Sequence, residues 1–145
     1  MKLLMREITE NDIEGFNSLM DQLSRRANSN ALLSKQILKA RANPDMFLMV
    51  AEDEDTGKLC GSMLGLLCAD FCEDCRPILF IENVVTDETY RRKGVAGKMF
   101  EAMESWGRAR GVNYAVLCSA MNRLAAHQFY GRIGYEEVKG FKKYL

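Results

Sequence analysis

Ile78–Gly97 reads ILFIENVVTDETYRRKGVAG, and its two ends obey different periods. Ile78–Thr86 is an apolar, β-branched run of strand length, the best strand in the chain. Arg91-Arg92-Lys93-Gly94-Val95-Ala96-Gly97 then leads into Gly94–Arg110, where Val95, Met99, Phe100, Met103 and Trp106 recur along one helical stripe until Gly111 stops it. Tyr114–Cys118 (YAVLC) follows as a short buried strand. Strand, helix and strand form a βαβ unit, whose outer strands are expected to run parallel with a right-handed crossover.

Upstream, Met1–Ile8 suits a first strand. Thr9-Glu10-Asn11-Asp12 is a helix-start signal, and Ile13, Phe16, Leu19, Met20 and Leu23 recur behind it at helical spacing. Leu32, Leu33, Ile37 and Leu38 mark a second helix ended by Asn43-Pro44. Met46–Ala51, the Asp55-Thr56-Gly57 turn and the glycine-interrupted Leu59–Ala69 read as a hairpin. An acidic, cysteine-bearing loop (Asp70–Pro77) leads into Ile78–Thr86, so three antiparallel strands are expected in succession. Downstream, Leu124–Ile133 reads as a helix closed by Gly134, and Tyr135–Lys139 and Phe141–Leu145 as two terminal strands around Gly140. The predicted order is β-α-α-β-β-β-α-β-α-β-β: one α/β domain over residues 1–145, a mixed sheet with helices on its faces.

Composition excludes several classes. The 145 residues are 48% hydrophobic and 28% charged, ordinary for a globular chain. Twenty Lys/Arg balance 20 Asp/Glu, so the basic excess of a general nucleic-acid or membrane-surface binder is missing. No apolar run approaches the roughly 20 residues that cross a bilayer. MKLLMREITEND turns acidic too early for a secretory signal. Five cysteines, an odd number, fit free thiols in a reducing compartment, and a cytoplasmic location is expected. Zero net charge hides an asymmetry. Residues 1–90 hold 9 Lys/Arg against 16 Asp/Glu, whereas residues 91–145 hold 11 against 4. Either both excesses are solvated surface, or the second part meets an anion and the first a cation.

The junction at Arg91–Gly97 favours the anion. A helix N-terminus presents unpaired N–H groups and partial positive charge, which suit phosphate. Gly94, Ala96 and Gly97 leave room for a diphosphate to approach the backbone, and three consecutive cations attract it. The plainer reading is a charged turn with small residues for helix–strand packing. A P-loop is excluded by the missing G-x-x-x-x-G-K-S/T, and the dinucleotide fingerprint G-x-G-x-x-G is absent.

Arg91-x-x-Gly94-x-Ala96 resembles the Q/R-x-x-G-x-G/A pattern of the GNAT superfamily of acyl-CoA-dependent N-acetyltransferases. The preceding strand, the long helix, YAVLC and Phe129-Tyr130-Gly131-Arg132-Ile133-Gly134-Tyr135 fall in that family's order, so the resemblance spans essentially the whole chain. It implies acetyl-CoA as acyl donor. Backbone groups of Val84, Val85 and Thr86 would pair with the pantetheine arm as an added strand. The loop Arg91, Arg92, Lys93, Gly94, Val95, Ala96 and Gly97 would hold the pyrophosphate. A bulge at Asn83 or Val84 would splay this strand from its parallel neighbour, and N–H of Val84 or Val85 would stabilise the oxyanion. Tyr130 takes the place of the family's general acid; the alternative is that it packs like Phe129. Glu82, a carboxylate in an apolar strand, is the candidate base; the alternative is a solvated or ion-paired glutamate. The family's asparagine lies seven residues before the tyrosine, where this chain has Arg123. Asn122, one residue earlier, is the candidate cofactor contact, and Arg123 fits an acidic acceptor group or a cofactor phosphate. Transferases acting on aminoalkylphosphonates resemble this R-x-x-A-H-x-F-Y run.

His127 either assists proton transfer or packs on its helix. Cys68, Cys72 and Cys75 include one C-x-x-C pair, but no second pair completes four zinc ligands, so free thiols near the acceptor entrance and no metal are expected. Cys118 reads as an inert buried thiol. Acids at 52–55, 70–74 and 87–88 would draw in a cationic amine. The sequence therefore points to acetyl transfer from acetyl-CoA to a primary amine, of a small molecule, by direct attack in a ternary complex. The alternatives are a protein or peptide acetyltransferase and a non-catalytic acyl-CoA sensor. No nucleic acid or membrane partner is expected, and the terminal strands suggest a homodimer.

Overall fold

The computed structural model describes residues 1–145. Its elements are β1 (Leu3–Glu7), α1 (Ile13–Ser24), α2 (Asn30–Ala42), β2 (Met46–Asp53), β3 (Lys58–Cys68), β4 (Ile78–Thr86), α3 (Val95–Arg108), β5 (Tyr114–Leu117) and α4 (Leu124–Arg132). One five-stranded sheet has the order β1-β2-β3-β4-β5, antiparallel throughout except for the parallel pair β4–β5.

The helices begin where local chemistry supplies caps. Thr9 and Asp12 cap each other's backbone through one 3-10 turn ahead of α1. Asp12 also accepts from both ends of the Arg6 guanidinium at 2.7 and 2.8 Å. Burial alone would raise the Asp12 pKa, but the Arg6 and Thr9 hydrogen bonds carry it below the usual range. Ser29 accepts from Leu32 N–H at the head of α2, and the helix stops at Asn43 before Pro44.

Two cores form on the two faces of the sheet. Phe16, Leu19 and Met20 of α1 and Leu33, Ile37 and Ala40 of α2 cover Ile8, Leu48, Val50, Leu59 and Val85 on one face. Val95, Met99, Phe100 and Met103 of α3 cover Met49, Met63, Leu79 and Ile81 on the other. The glycine interruptions of β3 follow from that second core. A Cβ at Gly65 would run into the Met103 sulfur, and one at Gly61 would lie 2.9 Å from the Met99 side chain. Bare backbone at both positions gives these two methionine side chains their room.

The expected bulge is in β4. Glu82 pairs with Leu64 and Val85 with Ser62, so Asn83 and Val84 face Met63 alone, and Asn83 takes the left-handed φ of 53°. The extra residue reverses the alternation. Leu79, Ile81 and Val84 pack with the α3 core, whereas Val85 belongs to the α1–α2 core.

The two terminal strands are not formed. No strand includes Tyr135–Lys139 or Phe141–Leu145, and the observed order ends at α4. Tyr135 turns back onto α3, where its ring meets Phe100 at 5.6 Å and its hydroxyl donates to Glu104 at 3.1 Å. That contact takes the chain out of line with the sheet. Beyond it, residues 136–145 make no backbone–backbone hydrogen bond, which leaves no ladder to define a strand.

Candidate active site

β4 and β5 pair at only four positions, from Ile78↔Tyr114 to Ile81↔Leu117. After Ile81 the bulge carries β4 one way while the chain after β5 turns into α4. A cavity of about 210 Å³ opens there, lined by Leu23, Ile81, Glu82, Asn83, Val84, Leu117, Cys118, Ser119, Arg123 and Tyr130. Glu82, Val84 and Tyr130, three of the predicted site residues, thus share one wall-to-wall space.

Alternation along β4 puts Glu82 on the α1 side of the sheet and Val84 on the α3 side. Residues from both faces thus line one cavity, Leu23 and Glu82 from the α1 side and Val84 and Tyr130 from the α3–α4 side. Glu82 and Arg123 both line the cavity, and neither takes part in any ion pair of the chain. Two opposite charges therefore face one cavity without neutralising each other.

Tyr130 is fixed by an aromatic cluster, with ring centroids 5.8 Å from Phe100 and 5.6 Å from Phe129. Burial raises its pKa above the usual phenol value, only partly opposed by Arg123. The phenol is protonated at neutral pH and makes no hydrogen bond within the chain, leaving it available to a reacting atom.

The loop before α3 has the form of an anion cradle. Arg92 and Gly94 are both left-handed, at φ 62° and 81°. Around the positions that a Cβ on Gly94 or Gly97 would occupy, nothing lies within 4 Å. Arg91, Arg92 and Lys93 have no carboxylate partner, and Arg91 Nε reaches the Thr86 carbonyl at 3.5 Å. The head of α3 has no side-chain cap. Uncapped N–H groups, free cations and open space fit a pyrophosphate.

A larger cavity, about 530 Å³, lies on the other side of this loop between Met1, Asp53, Lys58, Thr89, Tyr90 and Lys93. Tyr90 Oη donates to Asp53 there at 2.9 Å and Lys58 pairs with Asp87 at 3.2 Å, which leaves Lys93 as the lining charge without an ionic partner. Asp87 would be raised by burial, but Thr89, Gln22 and Lys58 hold it at about 2. This side braces the loop before α3.

Several expectations need correction. The acids at 52–55 and 87 are engaged elsewhere: Glu52 with Arg6, Asp53 with Tyr90, Glu54 with Lys2, Asp55 with the Met1 ammonium and Asp87 with Lys58. Glu82 is the one carboxylate lining the cavity. Cys68, Cys72 and Cys75 do not border it. Their loop is tied by Arg76 to Gly111 and Val112, near the start of β5. Cys118, expected buried, is exposed and lines the cavity. No group of three or more His, Cys, Asp or Glu is disposed to hold a metal ion. His127 spends Nε2 on the Ala120 carbonyl at 2.9 Å, closing the turn before α4. Asn122 sits exposed in that turn, outside the cavity wall that Arg123 joins. Val85 faces the α1–α2 core, so its side chain is structural and only its backbone is available to a ligand. Ser119 was not legible as a site residue; a small polar residue just past a short buried strand is the one signal it carries.

The Acetyltransferase (GNAT) family model matches residues 6–135. Glucosamine 6-phosphate N-acetyltransferase 1 of Oryza sativa subsp. japonica is 28% identical over 129 residues, covering 85% of this chain and 74% of that protein. Among solved structures, glucosamine-6-phosphate N-acetyltransferase of Arabidopsis thaliana superposes with a TM-score of 0.86 at 20% identity, covering 99% of both chains. An aminoglycoside N-acetyltransferase in complex with CoA gives 0.84 at 17% identity, covering 99% of this chain and 94% of that one. At these identities the structural likenesses speak to the fold. No helix is long and apolar enough to cross a membrane.

Proposed function

Because the chain belongs to the GNAT acetyltransferase family, an enzyme family, we propose that it transfers an acetyl group from acetyl-CoA to a primary amine of a small molecule, by direct attack in a ternary complex. The observation that carries this reading is the gap where β4 leaves β5, with Glu82 and Tyr130 on its walls and an uncapped, cationic helix head beyond one end.

Arg91–Gly97 holds the pyrophosphate, and the backbone of Val84–Thr86 lines the extended arm. Glu82 receives, directly or through water, the proton that the acceptor ammonium must lose. The nitrogen lone pair then attacks the thioester carbon, and N–H of Val84 or Val85 receives the developing oxyanion. When the carbon–sulfur bond breaks, the nitrogen, cationic after its attack, releases its second proton to solvent, while Tyr130 Oη protonates the departing thiolate and is reprotonated from solvent. Asn122, exposed in the turn before α4, remains the proposed cofactor contact on that side.

A cavity of this size suits a small acceptor better than a peptide. Glu82 and Arg123, both unpaired, favour an amine that also carries an anionic group. Glucosamine 6-phosphate, named for the rice relative, has that character. Free cysteines throughout support a reducing compartment such as the cytoplasm. The open edge of β5 and the unpaired tail beyond Tyr135 support a homodimer, which light scattering in solution tests.

The deciding experiment measures thiol release from acetyl-CoA with polyamines, aminoalkylphosphonates, sugar-amine phosphates and peptide N-termini. Release with a small amine supports the reading. Release with peptides alone turns it to a protein acetyltransferase, and CoA binding without release turns it to a sensor.

A further inference from the structure

Among buried side-chain nitrogen and oxygen atoms, only Ser119 Oγ has no hydrogen-bond partner. A sealed, unanswered hydroxyl is unfavourable, so its position calls for an explanation. Ser119 is the second residue beyond the last β4–β5 pair, Ile81↔Leu117, and it lines the gap together with Asn83 and Val84 of β4. Continuing the parallel register sets it across the gap from the bulge. The cavity's charged and amide side chains, Glu82, Asn83 and Arg123, are exposed and have water to answer them, and the Tyr130 hydroxyl is not among the buried unpaired atoms.

We propose that Ser119 is a binding residue for the acyl donor, its hydroxyl exchanging a hydrogen bond with the pantetheine amide nearest the thioester. The inference rests on the acyl-CoA reading above and adds a second wall to it. An extended arm lying along β4 has amide groups on its far side as well as its near side. The β4 backbone answers the near side, and a hydroxyl on the β5 side can donate to a carbonyl or accept from an N–H. Rotation about χ1, a fast side-chain motion, turns Oγ from its sealed position toward the gap. The arm supplies the partner that the free protein lacks, and the two walls together fix the thioester under the β4 N–H groups.

The test is calorimetry of wild type, Ser119→Ala and Ser119→Thr with CoA and, separately, with adenosine 3′,5′-bisphosphate, which lacks the arm. Thermal unfolding of each free protein is followed alongside. Ser119→Ala is expected to weaken CoA roughly 3- to 10-fold and to leave the bisphosphate unchanged. Ser119→Thr, which keeps the hydroxyl, restores CoA binding. The melting temperature of free Ser119→Ala stays level or rises, because an unanswered buried group has been removed. Unchanged CoA affinity, equal weakening of both ligands, or a lowered melting temperature in Ser119→Ala overturns the proposal. Wild type that does not bind CoA at all ends the acyl-CoA reading itself, a separate outcome.

Discussion

Every fully buried residue lies at or before Gly107; in residues 108–145 none is fully buried. The first region closes two cores around its sheet, whereas β5, α4 and the tail lean on α3 through partly exposed aromatic rings. Val138, Phe141 and Tyr144 stand 75%, 90% and 85% exposed. The contrast teaches where this enzyme keeps its adaptable parts. A region that sealed itself would have no gap beside β4, and a catalytic wall made of half-buried residues can accept a cofactor arm as its missing packing. β1–β4 and α1–α3 make the anvil; under the proposed function, the last quarter of the chain is completed by the cofactor that binds to it.

Phe100→Ala should break the contrast most severely, since Phe100 is 2% exposed and also meets Phe129, Tyr130 and Tyr135. A loss of about 3–5 kcal/mol is expected in denaturant unfolding, whereas Phe141→Ala in the tail should stay within roughly 0.5 kcal/mol. Comparable losses at both positions would erase the distinction. Tyr130→Phe should lower kcat by about 100-fold while CoA affinity and melting temperature hold, because its hydroxyl has no partner within the chain. Unchanged kcat would remove Tyr130 from the chemistry. The third expectation concerns acid. Asp87 is held at about 2, below its unfolded value, so its share of stability is full above roughly pH 4 and is lost as pH falls toward 2. Asp87→Asn should flatten that acid limb and loosen the loop before α3; an unaltered limb would place the sensitivity elsewhere, with Asp12 next in line.

How far the sequence could be read follows the same boundary. Residues 78–97 were legible because a β-branched run, three cations and small residues state local physics: strand, helix head, anion site. The helix start at Thr9–Asp12 was legible for the same reason, whereas the bulge at Asn83 follows from the family resemblance and the Ser29 cap lies in a stretch that reads only as polar loop. Tyr135–Leu145 was misread, since its alternation fits a strand but strand formation depends on a ladder partner that no local pattern encodes. The acids at 52–55 and 87 looked like an attracting surface, yet Arg6, Lys2, Lys58 and Tyr90, distant in sequence, had claimed them. Arg123 stands out in the sequence as a departure from the family pattern, and only the fold puts it on the same cavity as Glu82. Ser119 needed both strands in place before its missing partner could be seen.

Amide hydrogen exchange with and without CoA tests the central claim most directly. Protection on binding should rise in Asn83–Thr86, in Arg91–Gly97 and in Cys118–Tyr130, the less sealed wall gaining most, while β1 and β2 stay unchanged. Protection confined to the cavity beside Asp53 and Lys58, or none anywhere, would contradict the account.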